Sequence, residues 1–131
     1  MNGKQTQHIV KNEYLTTLTD AEKLEKYGLK NFERHPKFPG GEELFKKFLT
    51  KNIIYPPKAL MDKIQGLVIV SITINEKGNL EKTKIVQAAH PLLDEEALRF
   101  AKLLPRRKWV PAQDKGKNVS ADFTFPVRFK L

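Results

Sequence analysis

From residue 38 onward the apolar positions of this chain switch between two spacings, and each switch marks an element. After the breaker cluster Phe38-Pro-Gly-Gly41, the residues Leu44, Phe45, Phe48 and Leu49 recur at helical spacing with lysines between them, predicting an amphipathic helix that ends near Asn52. Tyr55-Pro-Pro57 stops it. Pro57 suits the first turn of a second short helix, in which Leu60 and Ile64 share a face before Gly66. From Leu67 the period falls to two: Val68, Val70, Ile72 and Ile74 point one way, and Leu67, Ile69, Ser71 and Thr73 the other. Asn75-Glu-Lys-Gly-Asn79 supplies turn residues, and residues 80–86 return antiparallel as a hairpin.

His90-Pro91 breaks the chain again, and Leu93, Ala97, Phe100, Ala101 and Leu104 form the stripe of a third helix that Pro105 ends. Asp94, Glu95 and Glu96 lie near the positive end of its dipole, Arg99 and Lys102 towards the other. After Arg106-Arg-Lys-Trp109 and a loop with Pro111, Lys115, Gly116 and Lys117, the chain closes in strict alternation. Val119, Ala121, Phe123, Phe125, Val127, Phe129 and Leu131 take one face, and Ser120, Asp122, Thr124, Pro126, Arg128 and Lys130 the other. This predicts a strand with one buried face. The elements together predict an α+β domain of two layers, a small antiparallel three-stranded sheet packed against two or three helices. Its span is 38–131, and residues 1–37 form an N-terminal extension. Within that extension Thr19-Asp-Ala-Glu22 fits a capping box opening a short helix to Gly28, or the segment is a tether.

Residues 119–131, at about 3.3 Å per residue, reach roughly 40 Å and so overhang the shorter hairpin strands. Pro126 has no N–H to donate, which confines its strand to an edge or a bulge. One flank is thereby left unpaired. Such an edge is either guarded, here by Pro126, Arg128 and Lys130, or it receives an extended peptide as an added strand.

Composition narrows the chemistry. With 131 residues the chain is long enough for one core. It has no cysteine, so disulfides and thiolate sites are excluded. The stretch MNGKQTQHIVKNEY lacks a signal peptide's apolar centre, and no apolar run reaches the roughly 18 residues of a membrane span. His8, His35 and His90 stand apart, outside any metal-binding spacing. Ser71 and Ser120 fall within strands, without a nucleophile turn. Glu42 and Glu43 after Gly40-Gly41 oppose phosphate binding. No catalytic set, metal or cofactor is expected. The net charge of +9 comes mainly from residues 36–131, with eighteen Lys or Arg against ten Asp or Glu, and reads as a solvated basic surface. Arg106, Arg107 and Lys108 beside Trp109 keep a nucleic-acid module open as a less favoured alternative, although no RNP-type sequence is present.

Read together, Phe38, Pro39, Gly40 and Gly41, Tyr55-Pro56 with Ala59, Ile64-Gln-Gly66-Leu-Val68, Asn75-Glu-Lys-Gly78, Leu93-Asp94 with Ala97, Trp109 with Pro111, and the closing Phe123-Thr-Phe-Pro-Val-Arg-Phe-Lys-Leu131 resemble the TonB C-terminal family. The resemblance covers 38–131. It implies a periplasmic, non-catalytic domain whose last strand receives the TonB box, a short peptide of outer-membrane transporters for iron complexes, vitamins or glycans. The peptide would pair along Val119, Ser120, Ala121, Asp122, Phe123, Thr124 and Phe125, with outward Ser120, Asp122 and Thr124 modulating selectivity. It further implies coupling to an inner-membrane motor of the ExbB and ExbD kind, through parts missing from this chain. The family's membrane helix and proline-rich spacer are not in this sequence, nor is the tail some relatives carry after the last strand. That leaves a segment of an anchored transducer, or an anchorless TonB-like scaffolding or signalling module. Self-association through the same edge, giving a homodimer, is a third possibility.

Overall fold

The computed structural model describes residues 32–131. The short helix expected between Thr19 and Gly28 lies outside them. In chain order the elements are α1 (Glu42–Asn52), α2 (Pro57–Met61), β1 (Gly66–Ile74), β2 (Leu80–Gln87), α3 (Pro91–Leu103), β3 (Ala112–Asp114), β4 (Lys117–Val119) and β5 (Ala121–Phe129). Three strands form an antiparallel sheet in the order β2-β1-β5, and β3 and β4 form a second, two-stranded one. The α+β, two-layer architecture predicted from the alternation of periods is the one observed.

The apolar stripes meet where the two periods say they should. Val68, Val70, Ile72 and Ile74 of β1 and Phe125, Val127 and Phe129 of β5 are buried against Phe45 and Leu49 of α1 and Leu93, Ala97, Phe100 and Ala101 of α3. Each large side chain so buried contributes roughly 1.5–3 kcal/mol by removal from water. α3 packs across β1 and β2, whereas α1 covers β5: the Phe45 ring lies 5.2 Å from both Phe123 and Phe125. Edge-to-face geometry recurs among these rings, as aromatic quadrupoles prefer.

The motif residues are the joints of this packing. Phe38-Pro-Gly-Gly41 closes a turn through Gly41 N–H to Phe38 O (2.8 Å), and Phe38 packs its ring 5.3 Å from Phe45 and 5.4 Å from Trp109. Tyr55 is buried, with its hydroxyl donating to the Ile64 carbonyl and its ring 5.5 Å from Phe129. Trp109 donates its indole N–H to Pro105 O (2.7 Å). Pro111 presents its carbonyl to Arg34, which donates from both Nε (3.0 Å) and Nη2 (2.8 Å). Residues 34–37 run antiparallel to residues 110–113, with Arg34 bridged to Gln113 and Lys37 to Val110. The small sheet therefore gains a further partner just before Phe38.

Two expectations need correction. The second helix ends at Met61, before Ile64 can join its face. Lys63 takes a left-handed conformation (φ 55°), and Lys63 N–H to Leu60 O (3.2 Å) with Ile64 N–H to Ala59 O (2.8 Å) make the paired bonds that terminate a helix. The overhang of the last strand is the other. β5 matches β1 residue for residue, nine against nine, from Ala121 opposite Ile74 to Phe129 opposite Gly66. The part that precedes it, read as loop before Val119, is instead the hairpin of β3 and β4. At the other end Leu131 leaves the strand half-exposed, its N–H held by Gln65 Oε1 (2.9 Å).

A polar staple joins the helices. Glu96, 8% exposed, accepts Ile54 N–H (2.7 Å) and both Nε and Nη2 of Arg99 (2.7 Å each), while Arg99 Nη2 also donates to Asn52 O (2.7 Å). One α3 ion pair thus satisfies the last carbonyl of α1 and the chain leaving it. The dipole reading of these charges missed this, because position along one helix does not reveal a partner 42 residues away. His90 and Asp94 cap α3: His90 Nδ1 accepts Leu92 N–H (3.1 Å) and Asp94 accepts Ala89 N–H (2.9 Å).

Candidate functional site

Among the described residues, the strand order leaves β2 and β5 at opposite edges of the main sheet. They differ in kind. β2 breaks its register with β1 twice, between Ile69 and Val70 and between Thr73 and Ile74, and it exposes Glu81, Lys82 and Lys84. Bulges and lysines are devices that discourage a further strand. β5 keeps one unbroken register over its full length.

The regular edge extends beyond β5. Lys115 and Gly116 have φ of 53° and 76°, the geometry of a two-residue type I′ turn, so Asp114 and Lys117 make the hydrogen-bonded pair that closes it. Two residues on, Ala112 and Val119 form the next such pair. The odd-numbered residues of β4 therefore turn their main-chain groups towards β3. The same parity continues through β5, as two observations support. Leu131 sends its N–H to Gln65, on the β1 side. Pro126, with no N–H to give, occupies an even position, on the flank away from β1 where no ladder bond requires a donor.

Residues 117–129 thus read as one extended run, partnered on one side first by β3 and then by β1, with Ser120 at the junction. The other side carries the N–H and C=O groups of Asn118, Ser120, Asp122 and Thr124, which no strand among the described residues pairs. The expected contact set divides accordingly. Val119 belongs to β4, Ser120 to the junction, and Ala121, Asp122, Phe123, Thr124 and Phe125 to β5. Phe123 and Phe125 face the helices, so they build the edge from beneath. Asp122 and Thr124 are braced across the opposite face: Thr73 Oγ1 donates to Asp122 Oδ1 (2.7 Å), and Thr124 Oγ1 bonds Ser71 Oγ (3.2 Å). These bonds hold both side chains towards β1 and leave main-chain groups facing outward.

Trp109, 3% exposed and hydrogen-bonded through its indole, is enclosed by Phe38 and Phe123 and offers no face to a nucleic-acid base. Among the described residues no cluster of three or more His, Asp or Glu side chains is placed to hold a metal ion. Also among them, no helix is long and apolar enough to cross a membrane.

Residues 51–131 match the family model described as Gram-negative bacterial TonB protein C-terminal. No curated protein matches the chain. Among solved structures, the chain is similar to the solution structure of Helicobacter pylori TonB-CTD, residues 179–285. The two share 21% identity at a TM-score of 0.52, over 88% of this chain and 97% of that one. It is also similar to a shorter H. pylori TonB-CTD fragment, residues 194–285, at 25% identity and a TM-score of 0.47, over 69% and 95% of the respective chains.

Proposed function

Because this chain belongs to the family of Gram-negative TonB C-terminal domains, periplasmic modules of interaction and energy transduction, we propose that it binds the TonB-box peptide of an outer-membrane transporter as an added strand. The carrying observation is the asymmetry of the sheet. One edge is bulged and lysine-rich, while the other runs regularly with outward main-chain groups at Asn118, Ser120, Asp122 and Thr124. Main-chain pairing supplies the grip, and the side chains lodged on either face supply discrimination. Pro126, lacking a donor, marks where the new ladder weakens. The contact set is therefore Val119 to Phe125.

Pairing of this kind suits mechanical work. A strand pulled along its axis loads several hydrogen bonds at once, so force from an inner-membrane proton-driven motor reaches the transporter through shared bonds. Motor and membrane anchor would act through parts outside this sequence. Titration of isotope-labelled protein with TonB-box peptides tests the reading. Amide shifts should concentrate on residues 118–125, and shifts confined to β2 or the helices would refute it.

The same regular edge supports a second reading, in which two copies pair through β5. Sedimentation at high protein concentration distinguishes it: a monomer excludes the homodimer.

A further inference from the structure

Lysines flank the side of β5 that has no partner strand among the described residues. α1 lies above β5, with Phe45 and Leu49 pointing into the core. Its flank bearing Phe48 and Asn52 leans towards α3, since the Phe48 ring is 5.6 Å from Phe100 and Asn52 O accepts Arg99. At about 100° per residue, Lys46 and Thr50 fall on the opposite flank, the one turned away from α3. Lys46 is half-buried there, and it meets the carboxylate of Glu43, whose own side chain is 81% exposed, at 3.4 Å. An ion pair so solvated contributes little. Lys115 and Lys117 stand exposed at the upstream end of the edge and Lys130 at the downstream end, none of them in an ion pair among the described residues. Of the carboxylates nearby, Asp122 accepts Thr73 Oγ1 and Glu33 accepts Gly116 N–H (3.1 Å), while Asp114 stands opposite Lys117 in the small hairpin without an ion pair among the described residues.

An added strand alternates its side chains between the helix side of the sheet and the opposite one. Its helix-side residues would run beneath Lys46, and its ends would lie near Lys115, Lys117 and Lys130. We infer that the peptide this edge takes is acidic, with aspartate or glutamate at alternate positions on its helix-facing side. The inference rests on the proposal that β5 is the receiving edge, and adds to it the charge of the partner. Lys115, Lys117 and Lys130 offer attraction without first breaking a pair, Lys46 has only its solvated contact with Glu43 to give up, and such lysines speed encounter as well as strengthening the complex.

Two short peptides, one alternating valine with glutamate and the other valine with glutamine, separate the two claims. At low salt the glutamate peptide should bind about tenfold more tightly, with amide shifts along residues 118–124. The gap should close towards 1 M salt, where charges are screened beyond about 3 Å. The double variant Lys46→Glu with Lys117→Glu should reverse the preference, favouring a valine–lysine peptide. Equal affinities with shifts on β5 would overturn the charge inference and leave the receiving edge intact. Tight glutamate binding with no shifts along residues 118–124 would overturn the receiving edge, and the inference with it. Absence of binding by every peptide at low salt overturns both.

Discussion

Gly78 and Trp109 are pressed together backbone to backbone. Trp109 N–H donates to Gly78 O (3.0 Å), and a methyl group on Gly78 would sit 2.3 Å from the Trp109 carbonyl oxygen. Gly78 also has a φ of 82°, which L side chains rarely adopt. The contact fixes the β1–β2 turn against the segment leading into the small sheet, alongside Leu80 N–H to Arg106 O (2.9 Å). Gly78→Ala should therefore lower stability by at least about 2 kcal/mol. Gly116→Ala, with similar φ but open space around the added methyl, should cost about 1 kcal/mol. Urea midpoints of the two variants give the comparison.

The Glu96–Arg99 staple yields a second prediction. Glu96→Ala leaves the Ile54 N–H without its acceptor and Arg99 without its carboxylate, costing roughly 2 kcal/mol once the partial exposure of Arg99 is allowed for. The hydrogen bonds that Arg99 donates to Glu96 raise the Arg99 pKa, so the guanidinium keeps its charge throughout the accessible range. A double-mutant cycle with Arg99→Ala should show a coupling of about 1 kcal/mol.

Tyr55 gives the alkaline behaviour. Burial raises its pKa above 10.0, because the phenolate would lose its hydration. The folded state then holds the proton more tightly than the unfolded chain. This contribution is complete below pH 10, and it is lost as pH rises from there through the folded pKa. Tyr55→Phe should cost about 1 kcal/mol at neutral pH, through the unmet Ile64 carbonyl. Above pH 10 the wild type should lose stability faster than the variant. Parallel alkaline unfolding curves would contradict this.

Edge parity is testable by proline. Ser120 faces its N–H outward, so Ser120→Pro should change stability by no more than about 1 kcal/mol while weakening peptide binding. Ala121 sends its N–H towards β1, so Ala121→Pro should cost about 3 kcal/mol or more. Thermal unfolding of both, with peptide titration of the first, measures the difference.

Much of this was visible in residue spacing. The stripe of Leu44, Phe45, Phe48 and Leu49, the alternation from Leu67 and the run from Phe123 each locate an element, because a packed layer leaves its period in the sequence. Pro126 pointed to an edge for a reason local to one residue. The hairpin of β3 and β4 was hidden because three-residue strands are too short to show a period, and Lys115-Gly116 is not among the commonest turn pairs. The staple was hidden because pairing of Glu96 with the end of α1 depends on how two helices cross. The outward parity of Ser120, Asp122 and Thr124 likewise follows from which side β1 and β3 occupy, and only the fold supplies that.

The two interruptions in β2 bear on what happens after one strand has been added. If both edges were regular, β5 of one molecule could accept β2 of the next, and head-to-tail repetition of that contact would build an open fibre. The kinks at Ile69/Val70 and Thr73/Ile74 deprive such growth of its second docking surface. With β5 as the proposed receiving side and β2 blunted, assembly would terminate after a single partner, so strand addition would stop at a pair instead of growing into a fibre.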